Sequence, residues 1–396
     1  MEALNKILSK YILQGAYPGI QWQINVRDKI YTGKIGFNNI ELKEPVRDDS
    51  IYRIWSMTKP IVAVAAMQLL DQDKINLNDP ITKYLSEFSN LKVLKNQNSK
   101  IDEIEDLKKI PTIKDLLLHT AGFSYNFLED PIGKQYDLIK LFSSNSTSLE
   151  EEIKILSSVP LLFQPGTSWR YSVSMDVLGR IIEIINSDSL QNILKKNIFD
   201  PLGMTETDFL VPDQKTSRLM KSYEFDLKSS KLFEIEHGAQ KIANYGYPLN
   251  EKNFARGGHG LYSTLNDYAI FIKMLHTGKS NNGITIVSKD SLKLMTSNLL
   301  IQKILPIEIL SVGTVKDNNY RNDLEGYGWG CGFRTLIDIN KNNNLGSIGE
   351  FGWAGAASTY FLVDNKKELS ALLMTQVLSG VPTLKNDFYE FIYTNF

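Results

Sequence analysis

Pro60 is followed by Ile61-Val62-Ala63-Val64-Ala65-Ala66-Met67-Gln68-Leu69-Leu70, a run with a single polar member. A helix apolar on every face has to be enclosed by the rest of the chain, so this run predicts a buried helix. Immediately before it stands Ile54-Trp55-Ser56-Met57-Thr58-Lys59. Ser56 and Lys59 are three residues apart, which puts both side chains on one helical face, one turn apart. Pro60 fits the first turn, where a missing N–H costs nothing. A serine at that end feels the positive pole of the helix, which favours negative charge on it or on an adjacent oxygen. A lysine at the edge of a buried helix loses solvation, and desolvation lowers its pKa toward useful base strength. Ser56 is therefore a candidate nucleophile and Lys59 a candidate base. The competing explanation is that Ser56 caps the helix and Lys59 snorkels to the surface. Spacing alone does not separate the two. Ser-x-x-Lys recurs as Ser89-Asn90-Leu91-Lys92, in polar surroundings that make it a surface coincidence.

The 396 residues allow one large core or two lobes. A hydrophobic fraction of 42% and a charged fraction of 22% are ordinary for a soluble enzyme. The formal net charge of -1 supplies no basic field for nucleic acid or anionic membrane. The one cysteine, Cys331, excludes an internal disulfide and fits a reducing compartment. The N-terminal segment is amphipathic and not of signal-peptide type, and no run is long enough for a membrane span. These features predict a cytoplasmic protein.

Leu4, Ile7, Leu8, Tyr11 and Ile12 predict an opening helix over 3–14, broken by Gly15 and Pro18-Gly19. Ile20 to Val26 alternates as a half-buried strand, with Lys29 to Gly36 as its hairpin partner. Residues 95–109 read as a solvated loop. Helices are predicted at 112–118, 134–144, 148–158, 174–186, 190–199, 264–276 and 384–394. Strands are predicted over 327–337, 346–352, 357–363 and 369–377. Gly326, Gly328, Gly330 and Gly332 fit a close-packed strand better than a phosphate loop. Strands at both ends with helices between predict an α/β (α+β) fold: an antiparallel sheet lobe from residues 1–75 and 251–396, and a mostly helical insertion at 76–250.

No Gly-x-Ser-x-Gly elbow occurs, since Leu345-Gly346-Ser347-Ile348-Gly349 has leucine where glycine is needed. The four histidines, His119, His237, His259 and His276, lack zinc-ligand spacing, so no metal and no cofactor are expected. Two further clusters carry chemistry. Trp169-Arg170-Tyr171-Ser172-Val173-Ser174 places a tyrosine on a short turn before a buried helix, where its phenol can relay a proton if nearby ammonium groups lower its pKa. Phe351-Gly352-Trp353-Ala354-Gly355-Ala356-Ala357-Ser358 brings small residues into a strand, where a bare backbone N–H can meet a substrate carbonyl.

In this order the three clusters resemble the serine β-lactamase/penicillin-binding-protein superfamily, and most closely the class C-type esterases (family VIII carboxylesterases). Leu118-His119-Thr120-Ala121-Gly122-Phe123, Pro165-Gly166, Asp200-Pro201-Leu202-Gly203-Met204 and Gly260-Leu261-Tyr262-Ser263-Thr264 support the likeness, which runs from about residue 16 to the C-terminus. The resemblance implies a β-lactamase/transpeptidase-like fold with the active site between the lobes. It implies Ser56 as the acyl-accepting nucleophile, Lys59 and Tyr171 sharing its proton, and an oxyanion hole from the backbone N–H groups of Ser56 and Ala356. Water then cleaves the acyl-enzyme, with Tyr171 as general base. Two departures stand out. Val173 occupies the position where the lactamases and peptidases carry asparagine, although Ser174 can partly replace it. Trp353 begins the third motif, where those enzymes place lysine or histidine. Both changes point to neutral ester substrates. Trp353, Gly355 and Tyr125 are the expected substrate-binding residues, and Phe123 and Phe127 are weaker candidates for the same pocket. His119 reads as a turn brace and His259 as a possible cleft residue. The expected activity is hydrolysis of a small-molecule, short-chain carboxylic ester, with no nucleic-acid partner. The rivals are β-lactam hydrolysis, D-Ala-D-Ala carboxypeptidase activity, and a non-catalytic binding or scaffold protein of the same fold. Asn145-Ser146-Thr147 matches a glycosylation sequon by chance.

Overall fold

The structure is a computed structural model that describes residues 1–141, 148–226, 228–235, 255–310, 322–378, 380–381 and 383–396. The sequon Asn145-Ser146-Thr147, His237 and the expected lobe boundary at 250/251 lie outside these residues.

The opening helix forms over Glu2–Leu13 and buries Leu4, Leu8 and Tyr11 on one face. It packs beside the closing helix, Thr383–Asn395, and against the strand Lys29–Asn39. An eight-stranded antiparallel sheet runs in the order Tyr327–Trp329, Arg334–Leu336, Phe351–Ala354, Tyr360–Asp364, Leu369–Met374, Gly19–Val26, Lys29–Asn39, Glu44–Pro45. Both ends of the chain therefore build one sheet, with Gln21 paired to Met374 and Val26 to Leu369.

The strand Gly19–Val26 is buried along its first six positions rather than half-buried. Its alternation misleads because both sheet faces are covered: the terminal helices lie on one side, and the helix Leu265–Thr277 packs on the other. The polar positions are accommodated by hydrogen bonds, among them Tyr52 Oη to Gln21 Oε1 at 3.0 Å. One core joins the apolar helix and the helical section to the inner sheet face, and a second lies under the terminal helices.

The apolar run forms the helix Thr58–Asp71, buried continuously from Thr58 to Met67. The one polar member of the run, Gln68, is satisfied, since its Nε2 donates to Ile286 O at 2.8 Å and to Asn197 O at 3.1 Å. Ser56 lies just outside it, in the 3₁₀ turn Trp55–Met57.

Elsewhere the fold departs from the sequence reading. The single strand expected over 327–337 is a hairpin, turned at Gly330-Cys331-Gly332. Its turn is pressed against the helix Lys289–Thr296, for which the sequence reading made no provision. Cys331 is a free thiol buried in that turn. The expected loop at 95–109 contains the strand Ile104–Asp106, paired with Lys92–Leu94. The strand Tyr223–Asp226, within the expected helical insertion, pairs parallel with Val377–Leu378. Among the described residues, no helix is long and apolar enough to cross a membrane.

Candidate active site

The site begins at the turn that carries Ser56. Trp55 sits in the left-handed region at φ 48°, a conformation costly for a residue with a Cβ. Its indole stacks on the His259 ring at 6.0 Å. Ser56 remains partly exposed, whereas Lys59 is only 2% exposed. Lys59 Nζ lies 3.2 Å from Ser56 Oγ and donates to Gly258 O at 2.7 Å. It also stands 4.6 Å from the Tyr171 ring centre and 5.1 Å from that of Tyr125. A buried ammonium is penalised relative to a neutral amine. Burial accordingly lowers Lys59 to about 7, against the opposing pull of the Asp176 carboxylate. A snorkelling surface lysine is excluded by this burial. The second Ser-x-x-Lys pair, Ser89 and Lys92, is exposed.

Tyr171 is fixed from both sides. Arg170 N–H donates to His119 O at 2.9 Å, and Val173 N–H to Ser124 O at 3.2 Å. The Arg170 guanidinium pairs with Asp130, which also accepts from Ser124 Oγ at 2.6 Å. His119, Tyr125, Trp169 and Trp353 surround the Tyr171 ring. Burial among them pushes the phenol up, and the polar atoms of Ser56 and Trp353 only partly offset this. The lowered phenol pKa expected from nearby ammonium is thus not found. Lys59 Nζ stands over the Tyr171 ring, and the phenol hydroxyl interacts with the side chains of Ser56 and Trp353. His119 Nδ1 lies 3.2 Å from Ser172 Oγ, which bonds Ser174 Oγ at 2.8 Å. His119 therefore braces the tyrosine turn, and the Ser174 hydroxyl is engaged in that brace.

The third cluster reaches the turn that carries Ser56 through close packing. The strand Phe351–Ala354 packs against the turn Trp55–Met57. A Cβ on Gly355 would fall 2.5 Å from Ile54 O and 2.2 Å from Thr359 Oγ1, so only glycine allows the approach. Ala356 follows on the exposed turn, and its N–H donates to no backbone carbonyl among the described residues. Trp353 meets Trp329 edge-on at 4.6 Å and Tyr171 at 5.3 Å. Its side chain also interacts with the Tyr171 phenol. Tyr125 is 3% exposed, stacks on Phe127 at 4.8 Å, and forms an inner wall beside Lys59. Phe123 is buried against Phe88 instead.

Two participants escaped the sequence reading: Gly258 and Asp176. Gly258 O is the acceptor for Lys59, and Gly258 N–H donates to Asp176 Oδ1 at 3.0 Å. Burial raises the Asp176 carboxyl, and the Lys59 ammonium opposes it. The available signals were the string Arg256-Gly257-Gly258-His259-Gly260 and an acid in the first turn of an apolar helix. Among the described residues, no group of His, Cys, Asp and Glu is placed to hold a metal ion.

A fold of this sheet-and-helix architecture around a buried Ser-x-x-Lys helix defines a class. The chain belongs to the β-lactamase family, whose Beta-lactamase family model matches residues 4–391, and it is a serine hydrolase. It is 26% identical to esterase EstB of Burkholderia gladioli over 364 residues, covering 87% of this chain and 82% of EstB. It is 28% identical to the lovastatin esterase of Penicillium rubens over 378 residues, covering 89% and 88% of the two chains. Its fold matches the solved structure of EstCE1, a hydrolase with promiscuous acyltransferase activity, at a TM-score of 0.82. That match has 21% identity and covers 99% of this chain and 98% of EstCE1.

Proposed function

We propose that the chain is a carboxylesterase that cleaves short-chain, uncharged esters through an acyl-enzyme on Ser56. The observation that carries this reading is the buried Lys59 amine, 3.2 Å from Ser56 Oγ and held near neutrality. A base with a pKa near the working pH combines the right protonation state with useful driving force. Neutral Lys59 takes the Ser56 proton as Oγ attacks the ester carbonyl. The N–H groups of Ser56 and Ala356 receive the oxyanion. The leaving alkoxide takes a proton delivered from Lys59 through the Tyr171 hydroxyl. Water then attacks the acyl-enzyme, its proton passing to Lys59, and Ser56 Oγ leaves with a proton returned by the same route. The raised phenol favours Lys59 over Tyr171 as the base in both halves, with Tyr171 as the protonated conduit.

The esterase names of two relatives support the ester reading. So do Trp353, which offers no cation to a lactam carboxylate, and Val173, which offers no side-chain amide. p-Nitrophenyl butyrate is accordingly expected to be turned over far better than nitrocefin. A side-by-side assay checks this, and the opposite ranking would move the enzyme to the lactamase branch. The pH profile follows from Lys59. Only the neutral amine accepts a proton, so kcat/KM rises as pH increases through about 7 and levels off above it. Rates measured between about pH 5 and pH 9 test this, and a maximum at the acid end excludes Lys59 as the base. The division into a sheet lobe and a helical lobe is also our reading. It is supported by the eight-stranded sheet, whose strands come only from the two ends of the chain.

A further inference from the structure

Arg256 and Glu152 take no part in the chemistry above, yet their side chains are 4% and 0% exposed. The contact is two-pronged: Arg256 Nη2 donates to Glu152 Oε1 at 2.6 Å and Nε to Oε2 at 3.1 Å. Burying an ion pair is a poor route to stability, because both ions lose hydration; its distinctive product is fixed geometry. What it fixes can be traced along the chain. Glu152 lies in the helix Leu149–Leu156, which packs on the helix Ser174–Asn186. Arg256 precedes Gly258 by two residues. Gly258 is held on both sides, by Asp176 through its N–H and by Lys59 through its carbonyl.

We infer that the Arg256–Glu152 pair is a positioning device for the general base, clamping the glycine loop so that the Gly258 carbonyl holds Lys59 within reach of Ser56 Oγ. The inference rests on Lys59 acting on Ser56.

The electrostatic consequence has a definite sign. With Glu152 neutral, Arg256 no longer faces the Glu152 carboxylate, and Asp176 is an acid that already feels its charge. The net positive charge added near Lys59 and a displaced Gly258 carbonyl act in the same direction. Both favour the neutral amine. The other groups facing Lys59 do not replace the lost charge. His119 and His259 are pushed well below their usual range by burial, and Tyr125 and Tyr171 present ring faces.

The test uses the full chain with Glu152→Gln and Arg256→Lys. Two readouts are followed across pH: turnover of p-nitrophenyl butyrate, and the rate at which a fluorophosphonate labels Ser56. For Glu152→Gln the inflection in both profiles moves to lower pH. Its kcat falls about tenfold while KM stays within about twofold, as expected for a misplaced base rather than lost binding. Arg256→Lys keeps the charge and loses the fork, so kcat falls with the inflection in place. Loss of activity in Glu152→Gln only in proportion to lost folded protein, with the inflection unmoved, overturns the inference. If Glu152→Gln does not fold, Arg256→Lys decides, and wild-type kcat in that variant is the overturning result. Failure of the wild-type protein to label at Ser56 refutes the esterase reading instead.

Discussion

Ser56→Ala is expected to abolish the proposed ester hydrolysis, by about 10⁴-fold or more, and to leave the thermal unfolding transition in place. The two halves of this outcome have separate grounds. Ser56 is partly exposed and its hydroxyl is small, so its removal opens no cavity in the apolar core. Lys59 keeps its main acceptor, Gly258 O, so the buried amine is not orphaned. The chemical loss is nonetheless complete, because no other hydroxyl stands within reach of the same base in this turn. Activity assays paired with a melting curve on the purified variant settle it. An Ala variant as active as the parent would refute the acyl-enzyme mechanism altogether.

Gly257→Ala is expected to destabilise the protein by about 3 kcal/mol or more, through the steric strain of an added atom where none fits. A Cβ built on Gly257 falls 1.8 Å from Met175 O and 2.6 Å from Met175 C. These are backbone atoms in the first turn of the helix Ser174–Asn186, so no rotamer change relieves the clash. Either the loop lifts or the helix shifts. Both break the contacts of Gly258 with Asp176 and Lys59, so whatever folds is also poorly active. Gly203→Ala is the comparison. Gly203 has φ 77°, but nothing lies within 4 Å of its missing Cβ, so only the left-handed backbone cost of roughly 1 kcal/mol applies. Denaturant melts of the two variants distinguish crowding from conformation, and equal losses would contradict this assignment.

The cluster proposed as the reactive core was legible because its parts are local. Ser56 and Lys59 share one helical turn, and Tyr171 and Trp353 each announce themselves within a few neighbouring residues. Short-range signals also give most helices, as with Thr112, which caps the helix Ile113–Leu117 through a reciprocal bond to Asp115. The supports around the core were not legible, because each depends on a contact between distant segments. Nothing local marks Gly258 as the acceptor for Lys59, Glu152 as the partner of Arg256, or Val377 as the neighbour of Tyr223. Tyr171 illustrates the same limit in chemical terms. From sequence its acidity hung on whether ammonium groups stand nearby; the ring is enclosed by Trp353, His119 and Tyr125, and that enclosure pushes the phenol up. Alternation failed at Gly19–Val26 for a related reason, since it reports one covered face and this strand has two.

The pairing of Gln21 with Met374 governs how the protein is made as well as how it is held. During synthesis the hairpin Gly19–Asn39 leaves the ribosome long before Leu369–Met374 exists, so one edge of its first strand waits without its ladder partner. The apolar helix Thr58–Asp71 waits too, because part of its cover, including Phe333, Phe361 and Leu372, arrives late. The sheet closes only once the last strands emerge, which makes its completion a late event of folding, since non-local strand pairing is slow. A premature stop anywhere before the strand Leu369–Met374 therefore leaves a polypeptide with an open sheet edge and a bare apolar helix, a product suited to degradation rather than to partial activity.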